Sequence, residues 1–364
     1  MTVTKSLTSI PACLLFLYAI LLGSIFSGCI EPNTEDLWSI TIEGVLQTEG
    51  FARDIAIEGN TGYVAAGQAG VQVWNLSDQT QSGYFAGYVE GGAFLEFEDV
   101  SIIGRNPLNN LIFASESNED VKIFHYATGD SDITYRNTIM SARTKGFVSF
   151  PLADDQFIMY AADNDDGMKW HTYDLDTTII FNIEFIVWTP NGGDEIYTPG
   201  KPQGIDSDGE TYIAMAVDQL GVELYSIDSL GTDPVLIGRV DTEGNAEQVL
   251  LSQMGVFASC DDAGATFIPW QDFIDSGGRT QLLPTGMIQS RFAEDLTVDH
   301  IAIYGVVAAL SLGAKGIALY DVTDPSAPEE KGIFPIGYSY RSQFWGEKLV
   351  VCTREGLQII TIEQ

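Results

Sequence analysis

Polar side chains recur at one place in this chain, just ahead of an alternating apolar run, and acids and bases are mixed among them. Arg53, Glu98, Lys145, Gln203, Glu247, Glu294 and Arg341 occupy that place in successive copies of one pattern. Asp54, Asp99, Gly146, Gly204, Gln248, Asp295 and Ser342 come next in register. Opposite charges gathered into a ring can grip a polar ligand or a cation, and a carboxylate held near a metal can serve as a general base. They can equally satisfy one another as ion pairs of little net energy.

A second set of carboxylates sits in glycine-containing turns. Asp163 and Asp165 belong to Asp163-Asn164-Asp165-Asp166-Gly167, and Asp206 and Asp208 to Asp206-Ser207-Asp208-Gly209-Glu210. Alternate carboxylates of this kind can point oxygens at calcium, although neither run completes the full calcium-binding loop, and Asp, Asn and Gly are also ordinary turn residues. Calcium is the one cofactor the sequence admits. His125 and His171 share a register late in neighbouring copies, but zinc needs more ligands converging on one point, and no paired-cysteine or His-Glu-x-x-His motif is present. Nucleophile-elbow, phosphate-loop and dinucleotide motifs are absent too. The balance favours binding over catalysis.

The elements that would hold these residues are short strands. The clearest copy runs Arg53 to Asn60, Tyr63 to Ala66 and Gly70 to Leu76, each alternating as a strand with one buried face does. A glycine opens the third strand at Gly70, Gly167, Gly221, Gly264, Gly316 and Gly356, with Asp120 in its place once. These positions are 40 to 54 residues apart. Such a period, with several strands per unit, predicts an all-β, seven-bladed β-propeller spanning 38–364. The blades fall at about 51–92, 97–141, 145–188, 202–241, 246–288, 292–337 and 340–364. The last copy is short by one strand and residues 38–48 supply one, so the termini are expected to share a blade and remove its open edges. The Gly- and Pro-containing stretch Trp188 to Lys201 is the longest interruption, and is expected to protrude as a loop. Exposed aromatics such as Trp188, Tyr197 or Trp345 on one face would mark a partner surface.

The net charge of -34, from 51 acidic and 17 basic residues, excludes nucleic acid as a partner, because phosphate binding needs clustered positive charge. A diffuse acidic coat keeps a protein soluble and monomeric. Residues 1–29 read as an export signal, with Lys5 followed by an apolar stretch from Ile10 to Phe26. The tetrad Phe26-Ser27-Gly28-Cys29 resembles the lipobox of bacterial lipoproteins. That resemblance implies lipidation of Cys29, and Ile30 in the next position implies an outer-membrane or cell-surface location. Residues 30–37 form a tether. Cys260 and Cys352, two copies apart, are expected as buried free thiols.

The run Gly316-Ile317-Ala318-Leu319-Tyr320-Asp321-Val322-Thr323-Asp324-Pro325-Ser326-Ala327-Pro328 resembles the LVIVD repeat family, and Val73 to Asp78 shares its pattern. This resemblance implies a propeller in an exported or surface protein. The expected function is a lipid-anchored binding scaffold that takes a protein, glycan or small ligand at its channel mouth. The alternative is a calcium-dependent propeller hydrolase or lactonase using the same carboxylates.

Overall fold

The computed structural model describes residues 37–364 except 118, 140–142, 278–279 and 282–289. The signal segment, Cys29 and nearly all of the tether lie outside the described residues. From Trp38 onward, seven antiparallel sheets follow one another along the chain. The first blade comprises Asp54–Glu58, Thr61–Ala65, Val71–Asn75 and Thr80–Phe85, from innermost strand to outermost. In the second to sixth blades the innermost strands are Val100–Asn106, Thr144–Ala153, Gly204–Ser207, Gln248–Leu251 and His300–Tyr304. The seventh has Ser339–Trp345, Lys348–Thr353 and Gly356–Glu363, and its outermost strand is Ser39–Leu46 from the amino end. Residues from Ser39↔Glu363 to Leu46↔Leu357 pair antiparallel, so the two ends of the chain share one sheet and close the ring.

Burial explains why the blades stack. Second and third strands are buried on both faces, as in Tyr63, Val64 and Ala65 against Val71 and Val73, whereas outermost strands are half exposed. Seven buried clusters fill the seven junctions between neighbouring blades. The one closing the ring packs Leu46, Val350 and Ile359 of the last blade on Ile55, Val64 and Trp74 of the first. Each fully buried aliphatic side chain contributes about 1.5–3 kcal/mol, so a missing blade would expose two such layers.

A five-residue turn recurs between second and third strands at Ala66–Gly70, Val217–Gly221, Cys260–Gly264 and Leu312–Gly316. In each, the first N–H donates to the carbonyl of the closing glycine. That glycine has φ of 80°, 74°, 85° and 87° in the four turns. A Cβ there would lie 2.2–2.4 Å from a backbone carbonyl oxygen such as that of Phe85 or Val240. Both backbone handedness and close approach therefore demand glycine. The second turn residue is also left-handed: Gly67, Asp218, Asp261 and Gly313 have φ of 59°, 48°, 50° and 55°. Each forms a bridge to the next blade, at Val100, Ala246, Val298 and Ser339 respectively. The turns thus latch adjacent blades as well as reverse the chain.

Several boundaries depart from the sequence reading. The first blade ends at Phe85, and Gly87–Glu90 with Ala93–Glu96 form a separate hairpin. Of the stretch expected to loop out, Trp188 to Ile196 is strand and only Tyr197 to Lys201 is not: Gly167–Ile180 and Ile183–Ile196 pair along their length, and turn at Phe181 and Asn182. Trp188 is buried against Phe157, with ring centroids 5.0 Å apart, so it marks no partner surface. In the fifth blade, a helix at Trp270–Ser276 interrupts the path from third to fourth strand, and Thr280–Gln281 adds a parallel strand to the fourth blade.

Candidate functional site

Alternating strand direction gives the disc two faces. Turns between second and third strands, and connections between blades, lie on one face; turns between first and second, and third and fourth, lie on the other. The first is the mouth face, where residues ahead of the innermost strands converge on the channel.

Register decides who stands there. The N–H groups of Arg53, Gln203, Glu247 and Asp299 donate to second-strand carbonyls of Ala65, Ala216, Ser259 and Ser311, which makes these four residues equivalent. Lys145 shares that place, because Gly146 pairs with Ala162 as Asp54 does with Ala65. In the sixth blade the ring positions are therefore Asp299 and His300, not Glu294 and Asp295. The shift arises because a turn from Ala293 to Leu296 lengthens the entry to His300–Tyr304. Glu294 and Asp295 are exposed on that turn, Glu294 lying 3.3 Å from Arg291. In the second blade a bulge between Val100 and Ile102 moves Glu98 and Asp99 back from the ring, although Asp99 still meets Arg53 at 3.5 Å. A comparable bulge between Ser339 and Ser342 carries Arg341.

The mouth is polarised. At the junction of last and first blades, Arg53 lies 4.9 Å over Tyr340, and Arg354 lies 4.0 Å over Tyr338. The two tyrosine rings are 4.7 Å apart and Phe51 stands 6.5 Å from Tyr340. Beside them a hollow of about 300 Å³ is bounded by Phe51, Arg53, Gln68 and Asp99. Across the mouth, blades four to six bring Glu247 and Asp299 near Asp218 and Asp261. Desolvation pushes the Glu247 carboxyl up, and Asp261 and Asp218 push it further, against the pull of Lys145. Asp299 keeps more than a third of its surface open to the mouth, yet desolvation by the walls, with Asp261, pushes its carboxyl up to about 6. The left-handed residues of two interblade latches, Asp218 and Asp261, are what place this negative charge.

Below the ring, the channel holds a cavity of about 590 Å³ bounded by Asp54, Asp206, Gln248, His300 and Ser342 among others. Asp54 is ion-paired to Arg341 at 3.2 Å and accepts from the N–H of Ile103 at 3.0 Å. The Gln248 side-chain oxygen accepts from Ile301 N–H at 2.8 Å. Desolvation raises Asp206 to about 6 and lowers His300 to about 3, so His300 is neutral. Asp206 is thus a channel residue on an innermost strand rather than a turn ligand.

The candidate metal ligands have other partners. Asp163 is buried 3.0 Å from Lys169, Asp165 is 3.2 Å from Arg143, and one Asp208 oxygen caps the N–H groups of Glu210, Thr211 and Tyr212. Asp206 accepts from Leu251 N–H at 2.8 Å. Among the described residues, no three His, Cys, Asp or Glu side chains converge as a metal ion requires. Asp54, Asp99, Glu247, Glu294 and Asp295 are therefore not gathered into a coordination sphere. Sequence reasoning passed over Asp218 and the aromatics Tyr338 and Tyr340, and read the Asp299-His300 pair as turn or core rather than as part of the ring; the repeated turn ending in glycine was the available signal for Asp218.

No family model and no curated protein sequence matches this chain. Solved structures do. U3-55K is similar with a TM-score of 0.62 at 10% identity, over 88% of this chain and 98% of that one. The RRP9 WD40 repeats give 0.62 at 10% identity over 89% and 100%. The computationally designed Ika8 protein gives 0.55 at 10% identity over 87% and 98%. At this identity the likeness is one of fold: the chain is a seven-bladed β-propeller.

Proposed function

We propose that this protein is a lipid-anchored, exported binding scaffold whose mouth face takes a partner carrying positive charge. The observation that carries the reading is the polarised mouth. Glu247 and Asp299 are held partly desolvated beside Asp218 and Asp261, and a cationic group placed among them would recover electrostatic energy that the walls now withhold. The opposite quadrant offers Tyr338, Tyr340, Phe51 and two arginines, the residue types that dominate interface energetics. The lipobox-like tetrad ending at Cys29, and the LVIVD-like pattern around Gly316 to Pro328, support placement of the disc at an outer-membrane or cell surface. A protein that offers a basic segment to the acidic quadrant, and aromatic or acidic side chains to the quadrant of tyrosines and arginines, is the partner class that suits both.

Photo-crosslinking in intact cells tests this. A crosslinking amino acid in place of Gln68 or Asp262 on the mouth face should trap a discrete adduct. One in place of Asn60 on the opposite face should not. The paired change Glu247→Lys and Asp299→Lys should abolish the adduct without altering the protein's yield. Adducts that ignore the charge reversal would refute the mouth as the site. A mature amino terminus that carries no lipid at Cys29 by mass analysis would refute the lipid anchor.

A further inference from the structure

The third blade carries an arm that the propeller does not use. Its third and fourth strands run well past the other blades, with pairs at Leu175↔Trp188, Thr178↔Phe185 and Ile180↔Ile183, before turning at Phe181 and Asn182. Up to Leu175 and Trp188 the ribbon packs on the core. Beyond that it stands free: Ile179 is 70% exposed, Ile180 48%, Phe181 95% and Phe185 49%. Phe181 also holds a left-handed φ of 52°, a conformation that asparagine or glycine adopts at less cost. Nothing in the propeller's own packing calls for an exposed phenylalanine there.

Both sides of the ribbon expose an apolar side chain near the tip, although on one of them Ile179 stands beside the exposed Glu184 that pairs with it. Paired residues share a side, so Ile180 and Phe185 point one way and Ile179 the other. A folded partner seated on one side would leave the other in water. A medium that surrounds the tip satisfies both.

The arm's direction supplies the second argument. A turn between third and fourth strands lies on the face opposite the mouth. The chain enters the propeller on that same face, because Ser39 pairs with Glu363 at the far end of the seventh blade's third strand. Nine residue steps separate Cys29 from Trp38, a reach of at most about 30 Å. Whether the stretch Ile10 to Phe26 is replaced by lipid or retained as a span, a membrane tether would thus join the disc on the face from which the arm projects. Other first-to-second turns on this face also present apolar side chains, at Leu108, Met254 and Val306.

We propose that the arm of the third blade is a lipid-penetrating wedge, with Ile179, Ile180, Phe181 and Phe185 entering the interfacial layer of the membrane that bears the anchor and setting the mouth outward. This rests on the membrane-tether part of the proposed function and assigns a surface to it. The same face carries Asp154, Asp155, Asp208 and Glu210 in its turns, so the lipid it suits is zwitterionic rather than anionic.

The test places a dansyl-bearing amino acid at Phe181, and separately at Val89 on the mouth-face hairpin, in the full chain reconstituted into phosphatidylcholine vesicles. The expected result is a blue shift and quenching by bromolipid at position 181, with neither at 89. Changing Ile180→Asp with Phe181→Asp should lower the vesicle-bound fraction of a Cys29→Ser chain by roughly tenfold. Mass analysis of the mature amino terminus reports separately on the anchor. An unquenched probe at 181 on a chain that does carry lipid at Cys29 overturns the wedge and leaves the anchor standing. Quenching at 181 in a chain without lipid at Cys29 supports the wedge and overturns the anchor. A blue shift without vesicles that grows with protein concentration means a second copy covers the tip, and equal quenching at 89 means the disc lies the other way; either overturns the proposal.

Discussion

The Arg341 guanidinium stands 3.2 Å from the Asp54 carboxylate, joining the last blade to the first across 287 positions of sequence. The same carboxylate accepts from Ile103 N–H in the second blade. One buried group therefore ties three blades together at the inner wall of the channel. Replacing it with Asp54→Ala removes the acceptor of a guanidinium and of the Ile55 and Ile103 N–H groups, at a cost of about 3–5 kcal/mol. Pairing Asp54→Ala with Arg341→Met should cost less than the sum of the single changes. Urea unfolding of the two single variants and the double variant gives the comparison, and strict additivity would deny the coupling.

Closure by the amino-terminal strand makes a separate prediction. Without residues 39–46, the edge of Gly356–Glu363 is unpaired and the layer containing Val350 and Ile359 is uncovered. The truncated chain should self-associate in size-exclusion chromatography, and amide exchange should rise first in 356–363. A monomer with native protection there would show that the seventh blade needs no shared strand.

The interblade turns separate two kinds of glycine. At Gly221 a Cβ meets the carbonyl oxygen of Val240 at 2.2 Å and φ is 74°, so Gly221→Ala should destabilise by roughly 2–4 kcal/mol. At Gly67 the place occupied by Asp218 in the fourth blade tolerates a side chain, the nearest backbone atom to a Cβ being 3.7 Å away. Gly67→Asn should change stability by less than about 1 kcal/mol. Thermal unfolding of the two variants decides it.

Asp206 gives the pH dependence its sign. Its folded pKa of about 6 lies above the unfolded value near 4, so the folded state binds the proton more tightly. Its contribution therefore favours folding at low pH, declines as pH rises from about 4 to 6, and is unfavourable above. Asp206→Asn should be more stable than the parent at pH 8 by on the order of 1 kcal/mol, and the advantage should vanish near pH 4. Asp299, raised for the same reason, should act in the same direction. An advantage for Asp206→Asn that grows on acidification would contradict the assignment.

Cys260 and Cys352 are free and buried, and burial raises both thiols. Neither should react with a thiol reagent in the native state at pH 8, and both should react once urea unfolds the chain. Prompt native reaction of either would place it at the surface.

How far the sequence reaches is visible at particular residues. Local spacing was enough for the ring of blades, because glycine ahead of each third strand answers a steric demand that every blade repeats. It was enough for the closing strand as well, since an unpaired strand at each end of the chain can be satisfied only by the other. It also placed Arg53, Lys145, Gln203 and Glu247 in one register: three of these innermost strands start without a bulge or an added turn, and the bulge between Thr144 and Gly146 holds Lys145 itself at the ring position.

What remained was settled by contacts between blades. A bulge at Ser101 and a turn at Ala293 each displace the register by a few residues, and such irregularities leave no periodic trace, so Glu98 and Glu294 stood where Ser101 and Asp299 belong. The acidic quadrant of the mouth is built from residues on three different blades, and their desolvation depends on walls that no single repeat supplies. Alternation along one strand tells which side chains turn inward; only the closed ring brings Asp54 to Arg341, turns Trp188 into core, and sends Phe181 into the open, because those outcomes depend on neighbours remote in the chain.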